Sequence, residues 1–147
     1  MNNEQLKLEN QFCFPIYAIS RLITKIYKPF LDNLGLTYTQ YLVMMVLWEK
    51  EGLSVKVISE KLLLESNTLT PVLKRMEVNG FLLRLRSSKD ERIVTLILTE
   101  KGKELIHAAS KIPNQLTNHF ENKNINEQDI IKVKKVLCEW LDQIRKQ

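Results

Sequence analysis

The stretch from Ser66 to Gly102 constrains this chain more than any other. In Ser66–Gly80, SNTLTPVLKRMEVNG, residues Leu69, Val72, Leu73 and Met76 recur at helical spacing on one face. Asn67, Thr70, Pro71 and Lys74 occupy the opposite face, with Thr68 and Arg75 at its edge. Asn79-Gly80 then supplies a helix stop. From Phe81 to Ser87 the period changes to two: Leu83 and Leu85 point one way, Arg84 and Arg86 the other. Ile93 to Leu98 alternates again, and the two runs are joined by the polar tip Ser88-Lys89-Asp90-Glu91-Arg92. Thr99-Glu100-Lys101-Gly102 opens a fresh helix.

A helix with a short, polar, groove-sized face, followed by an arginine-bearing hairpin, is a winged helix-turn-helix arrangement for holding duplex DNA. The charge agrees. The chain carries +5 overall, and its excess is uneven: residues 1–65 are balanced, residues 66–98 carry +3 and residues 99–147 carry +2. The surplus begins where the proposed DNA-binding unit begins, which suits a phosphate partner. Arg84 and Arg86 also fit a solvated strand face, and the tip also fits an ordinary surface turn.

The remaining elements are predicted to be helical. Phe12, Ile16, Ile19, Ile23, Ile26 and Phe30 repeat at steps of four and three, a seam for packing against another helix. Pro29 should kink or loosen its last turns, and Gly35 closes it. Thr37-Tyr38-Thr39-Gln40 has the form of a capping box, and the helix after it, about 38–51, is apolar nearly all round. Ser54 caps a short helix through Lys61. The next helix is expected to start at Asn67 or Thr68, which puts Pro71 in its first turn, where a missing N–H costs little. The helix from Thr99 should run to about Lys111 and break at Pro113. Asn126 and Asp129 cap a last helix with the seam Ile130, Val133, Leu137, Trp140 and Ile144. The two seams, at opposite ends of the chain, are expected to pack on each other and on a second copy.

The fold class is therefore mainly α with a small β-hairpin wing. A single domain is expected over 1–147, with dimerisation helices at about 9–35 and 103–147 around a winged helix-turn-helix at about 37–102. The longest apolar runs fall short of a membrane span, and the polar start MNNEQLKLEN is not of signal-peptide type, so a cytosolic protein without membrane contact is expected. Two cysteines, Cys13 and Cys138, fit no zinc spacing, and His107 and His119 have no carboxylate at ligand spacing. Neither metal nor cofactor is expected.

The order of elements, the Asp90-x-Arg92 tip and Leu98-Thr99-x-x-Gly102 resemble the MarR family of bacterial transcription regulators. Glu9-Asn10-Gln11-x-Cys13-Phe14, Tyr27-Lys28-Pro29, Thr37-Tyr38-Thr39-Gln40-Tyr41-Leu42, Leu47-Trp48-Glu49 and Thr68-Leu69-Thr70-Pro71-x-Leu73-Lys74-Arg75-Met76-Glu77 are similar to its organic-hydroperoxide-sensing branch. The likeness spans roughly residues 9–102; Thr39 departs from it, standing where relatives often have proline.

The resemblance implies a homodimeric repressor on pseudo-palindromic double-stranded operator DNA, with a recognition helix in the major groove and a wing in the minor groove. Asn67, Thr68, Thr70, Lys74 and Arg75 would reach base edges and phosphates. Arg92 would enter the minor groove, held by Asp90, while Arg84, Arg86 and Lys89 would touch phosphates. The resemblance also makes Cys13 the sensor and Tyr27 and Tyr38 its hydrogen-bond partners. Tyr17, four residues on from Cys13, would line the same pocket. The effectors would be an organic hydroperoxide and a small thiol. Tyr27 lies fourteen residues beyond Cys13, about 21 Å along one helix, so the contact would have to come from the second protomer.

Spacing alone favours a packed structural thiol for Cys13, and the resemblance favours sensing. Cys138 reads as a packed thiol, with a resolving role as the alternative. Two other functions stay open on sequence: a MarR-type regulator released by a small aromatic ligand, and a thiol peroxidase using Cys13. Many turnovers with peroxide and a reductant would favour the enzyme.

Overall fold

The computed structural model describes residues 3–86 and 93–146. The chain divides into two compact units, Met1–Ala109 and Ser110–Gln147.

The first unit begins with two short 3-10 turns, Asn3–Leu6 and Leu8–Asn10, which the sequence pattern does not announce. Helix α1, Cys13–Asp32, runs as one element through Pro29. Helix α2, Tyr38–Glu49, starts at the expected capping box: Thr37 accepts from the Gln40 N–H, and the Gln40 side chain accepts from the Thr37 N–H at 2.8 Å. Tyr41, Val43, Met44 and Leu47 make α2 the centre of the core. Strand β1, Leu53–Ser54, is only two residues long and was not anticipated. Ser54 also caps helix α3, Val55–Leu62, by accepting from the Val57 N–H.

Helix α4, Ser66–Val78, starts earlier than the sequence predicts. Its N-cap is Glu65, whose carbonyl accepts from the N–H groups of Thr68 and Leu69. Pro71 therefore sits in the second turn, not the first. It gives no N–H to the Asn67 carbonyl, yet the helix continues, because Leu69, Leu73 and Met76 are fully buried and fix its face by tertiary packing. At the far end Gly80 adopts φ +73°. The Phe81 N–H bonds to the Met76 carbonyl and the Gly80 N–H to the Glu77 carbonyl, a Schellman closure.

Strands β2, Leu82–Arg86, and β3, Val94–Leu98, pair antiparallel, with Leu82 opposite Leu98 and Arg84 opposite Leu96. β1 pairs on the other edge of β3, giving the order β1-β3-β2. Leu82, Leu96 and Leu98 face the core, so Arg84 shares the inward row, while Leu83 and Leu85 are exposed.

Helix α5, Glu100–Ala109, docks against the turn after α4. Thr99 joins the two: its hydroxyl donates to the Gly80 carbonyl at 2.6 Å and accepts from the Gly102 N–H at 3.1 Å. A Cβ on Gly102 would lie 2.1 Å from the Phe81 carbonyl oxygen, so no larger residue fits without displacement.

In the second unit, helix α6, Ile112–Glu121, carries Pro113 in its first turn, where the chain was expected to break. Helix α7, Glu127–Ile144, is capped as expected, with Asn126 accepting from the Asp129 N–H at 2.9 Å. No helix among the described residues is long and apolar enough to cross a membrane.

Candidate nucleic-acid interface and redox site

The polar face of α4 is formed as expected. Asn67, Thr68, Lys74 and Arg75 are exposed, while the buried leucines behind them hold the helix rigid. Thr70 is half-buried and its hydroxyl donates to the Ser66 carbonyl at 2.7 Å. Thr68 donates to the Asn67 side-chain oxygen at 3.3 Å, which orients the amide at the start of the face. These side chains can offer both donors and acceptors to base edges.

The hairpin is less uniform. Arg86 is exposed. Arg84 is half-buried, and its guanidinium lies 3.7 Å from the Glu77 carboxylate on α4. A hollow of about 430 Å³ opens between α3, α4 and the hairpin, lined by Lys56, Ser66, Thr70, Arg84 and Val94 among others. Lys89, Asp90 and Arg92, expected to form the tip, lie outside the described residues.

Cys13 is the first residue of α1 and is exposed, as is Cys138 on α7; both are free thiols. Tyr17, one turn on, is exposed with the Arg21 guanidinium 5.7 Å from its ring centre. Tyr27 and Tyr38 come together, ring centres 4.9 Å apart and edge to face. Tyr41, which sequence reasoning did not place in the site, joins them 5.9 Å from Tyr27, and Trp48 lies 6.3 Å beyond it. Tyr41 follows Tyr38 by one helical turn on α2, and that spacing was the signal available. Burial, with the neighbouring phenols of Tyr38 and Tyr41, pushes Tyr27 up to about 12. Burial also raises Tyr38, and burial with Tyr38 raises Tyr41. All three are therefore O–H donors at neutral pH.

Of the phenol cluster, Tyr27 lies on the same unbroken helix as Cys13, while Tyr38 and Tyr41 lie on α2. Fourteen residues of α-helix separate Cys13 from Tyr27, about 21 Å of rise, so the thiol is beyond reach of its own chain's Tyr27. Among the described residues, no three His, Cys, Asp or Glu side chains come together in a group able to hold a metal ion.

Comparisons with known proteins agree with this architecture. The pattern of the family described as "Transcriptional regulator SarA/Rot" matches residues 25–109. The organic hydroperoxide resistance transcriptional regulator of Bacillus subtilis (strain 168) is 53% identical over 113 residues, covering 77% of this chain and 77% of that protein. Reduced AbfR bound to DNA superposes with a TM-score of 0.72 at 35% identity, over 96% of this chain and 99% of that one. Disulfide-formed AbfR superposes at 0.63 with 34% identity, over 96% of this chain and 97% of that one.

Proposed function

Since the chain belongs to the SarA/Rot family of MarR-like winged-helix transcriptional regulators, we propose that it is a homodimeric repressor that releases its operator when an organic hydroperoxide oxidises Cys13. The operator is a pseudo-palindromic duplex, read by Asn67, Thr68, Thr70, Lys74 and Arg75 of each α4; Arg86 and Lys89 would contact phosphates, and Arg92, held by Asp90, would enter the minor groove. A relative named for organic hydroperoxide resistance supports the choice of oxidant, and the solved DNA-bound and disulfide-formed states of AbfR support coupling between thiol chemistry and DNA.

The observation that carries the reading is the separation of Cys13 from the Tyr27–Tyr38 pair along an intact α1. Two α1 helices running antiparallel, suitably offset, would bring each thiol to the phenols of the other copy. The apolar surface at both ends of the chain supports such pairing. On α1, Ile16, Ile19 and Leu22 are exposed; on α7, Val133, Leu137 and Ile144 are. Dimerisation through about 9–35 and 103–147 would cover them.

The chemistry follows. The Cys13 sulfur attacks the distal oxygen of the hydroperoxide; an S–O bond forms, the O–O bond breaks, and the departing alkoxide takes up the proton given up by the thiol and leaves as the alcohol. Tyr27 and Tyr38 O–H groups donate to the sulfur or to the peroxide oxygens. A small thiol then attacks the sulfenic acid, an S–S bond forms and water leaves. The added group at the shared interface shifts helices that fix the spacing of the two α4 helices, and the operator is lost. Tyr17 lines the same place.

Intact mass after treatment with cumene hydroperoxide and then a small thiol tests the site. The wild type should gain one oxygen and then one thiol adduct on Cys13, and Cys13→Ser should gain neither. Modification confined to Cys138 would contradict the assignment.

A further inference from the structure

An arginine in the inward row of the wing calls for a reason. Arg84 stands among Leu82, Leu96 and Leu98, all buried. Its Nε is buried with no hydrogen-bond partner among the described residues, an unfavourable arrangement that a merely solubilising arginine would avoid. What holds it is Glu77, in the last turn of α4. Glu77 Oε1 accepts the backbone N–H of Arg84 at 3.1 Å, and Oε2 lies 3.7 Å from Arg84 Nη1. One carboxylate thus grips both the main chain and the side chain of a single strand residue. The grip joins the helix that reads one groove to the strand that carries the wing.

The sign of the charge sharpens the point. A carboxylate near the face that meets phosphates repels DNA, so charge alone would make removal of Glu77 favourable. We propose that Glu77 and Arg84 form a clasp that sets the spacing between recognition helix and wing, and that Arg84 serves operator binding as a positioning residue and not as a phosphate contact. The inference rests on the operator-binding reading above.

The test uses the full-length protein and the tightest duplex recovered from a randomised pool, with binding followed by fluorescence anisotropy across a salt series. Glu77→Gln should weaken binding by about tenfold although it removes a negative charge, and Arg84→Gln should weaken it similarly. The double variant should be no weaker than the worse single. The slope of log affinity against log salt should be unchanged in Arg84→Gln, since a lost phosphate contact lowers it by about one. Hydroxyl-radical footprints of both variants should lose wing protection in the minor groove while keeping the α4 footprint. Glu77→Asp, which keeps the charge and shortens the reach, should show the same pattern more weakly and covers the case of a poorly folded variant. Unchanged or tighter binding by Glu77→Gln, or a slope lowered by one in Arg84→Gln, would overturn the clasp. A wild type that enriches no duplex would remove the operator-binding reading, and this inference with it.

Discussion

The ring of Tyr27 meets that of Tyr38 edge to face, with centroids 4.9 Å apart. Tyr38 is the first residue of α2, directly after the Thr37 cap, and Tyr27 lies three-quarters of the way along α1. The contact therefore pins the C-terminal half of α1 to the start of the core helix. Through Tyr41 and Trp48 the aromatic series continues along α2, and the Trp48 indole N–H donates to the Gly102 carbonyl at 3.0 Å, where α5 meets the turn after α4.

The phenol cluster predicts a loss of stability at high pH. Tyr27 is held at about 12 in the fold, chiefly by burial, against about 10 in an unfolded chain. The folded state then binds more protons than the unfolded one between these values. Its contribution is complete below pH 10 and is lost as pH rises through about 12. Urea midpoints measured from pH 9 upward should fall across that window. Tyr38→Phe should lower the Tyr27 value by removing a neighbouring phenolate, as read from tyrosinate absorbance.

Gly102→Ala should be severely destabilising. The new methyl would meet the Phe81 carbonyl oxygen at 2.1 Å, in a buried place where backbone, not a flexible side chain, must yield. A loss of about 3 kcal/mol in urea unfolding is expected, at the upper end of overpacking costs. A loss below about half a kcal/mol would mean that α5 is free to shift.

Trp48→Phe should cost about 1 kcal/mol, since it leaves the Gly102 carbonyl without the indole donor. The measurement is the shift in chemical denaturation midpoint at constant slope.

Pro71→Ala should stabilise α4. Alanine restores an N–H to the Asn67 carbonyl in the second turn, so a gain of about 1 kcal/mol is expected, less than the full interior-proline penalty because the helix already tolerates the ring. Thermal unfolding checks the sign.

Charge placed on the exposed seams should separate the copies. Ile19→Lys on α1 and Leu137→Lys on α7 each put an ammonium on an apolar face that the dimer would bury. Sedimentation should show monomers, and operator affinity should fall by about a hundredfold or more through loss of bivalent binding.

Much of this was legible in the sequence because it is local. The Thr37 and Asn126 caps, the Gly80 stop, the α4 core face and the hairpin each follow from a few neighbouring residues, and all appear in the structure. Three features were not legible for equally physical reasons. A two-residue strand such as β1 has no period to detect. The start of α4 was read from Asn67 and Thr68, good cap residues, whereas the Glu65 carbonyl begins the helix. Alternation in β2 sorted leucines from arginines but could not say which set faced inward; the Leu82–Leu98 pairing and Glu77 decided for Arg84. The phenol cluster is half visible: Tyr27 and Tyr38 follow from resemblance, whereas Tyr41 is marked only by its one-turn spacing from Tyr38, and packing brings it to Tyr27.

On the proposed reading, oxidation of Cys13 loosens the grip on DNA. The most direct measurement is the anisotropy of a labelled operator duplex bound by wild type and by Cys13→Ser, as cumene hydroperoxide and a small thiol are added. The wild type should dissociate while the variant, starting from the same affinity, stays bound. Release of Cys13→Ser at the same dose, or a wild type that stays bound while its mass shows Cys13 carrying the thiol adduct, would contradict the account.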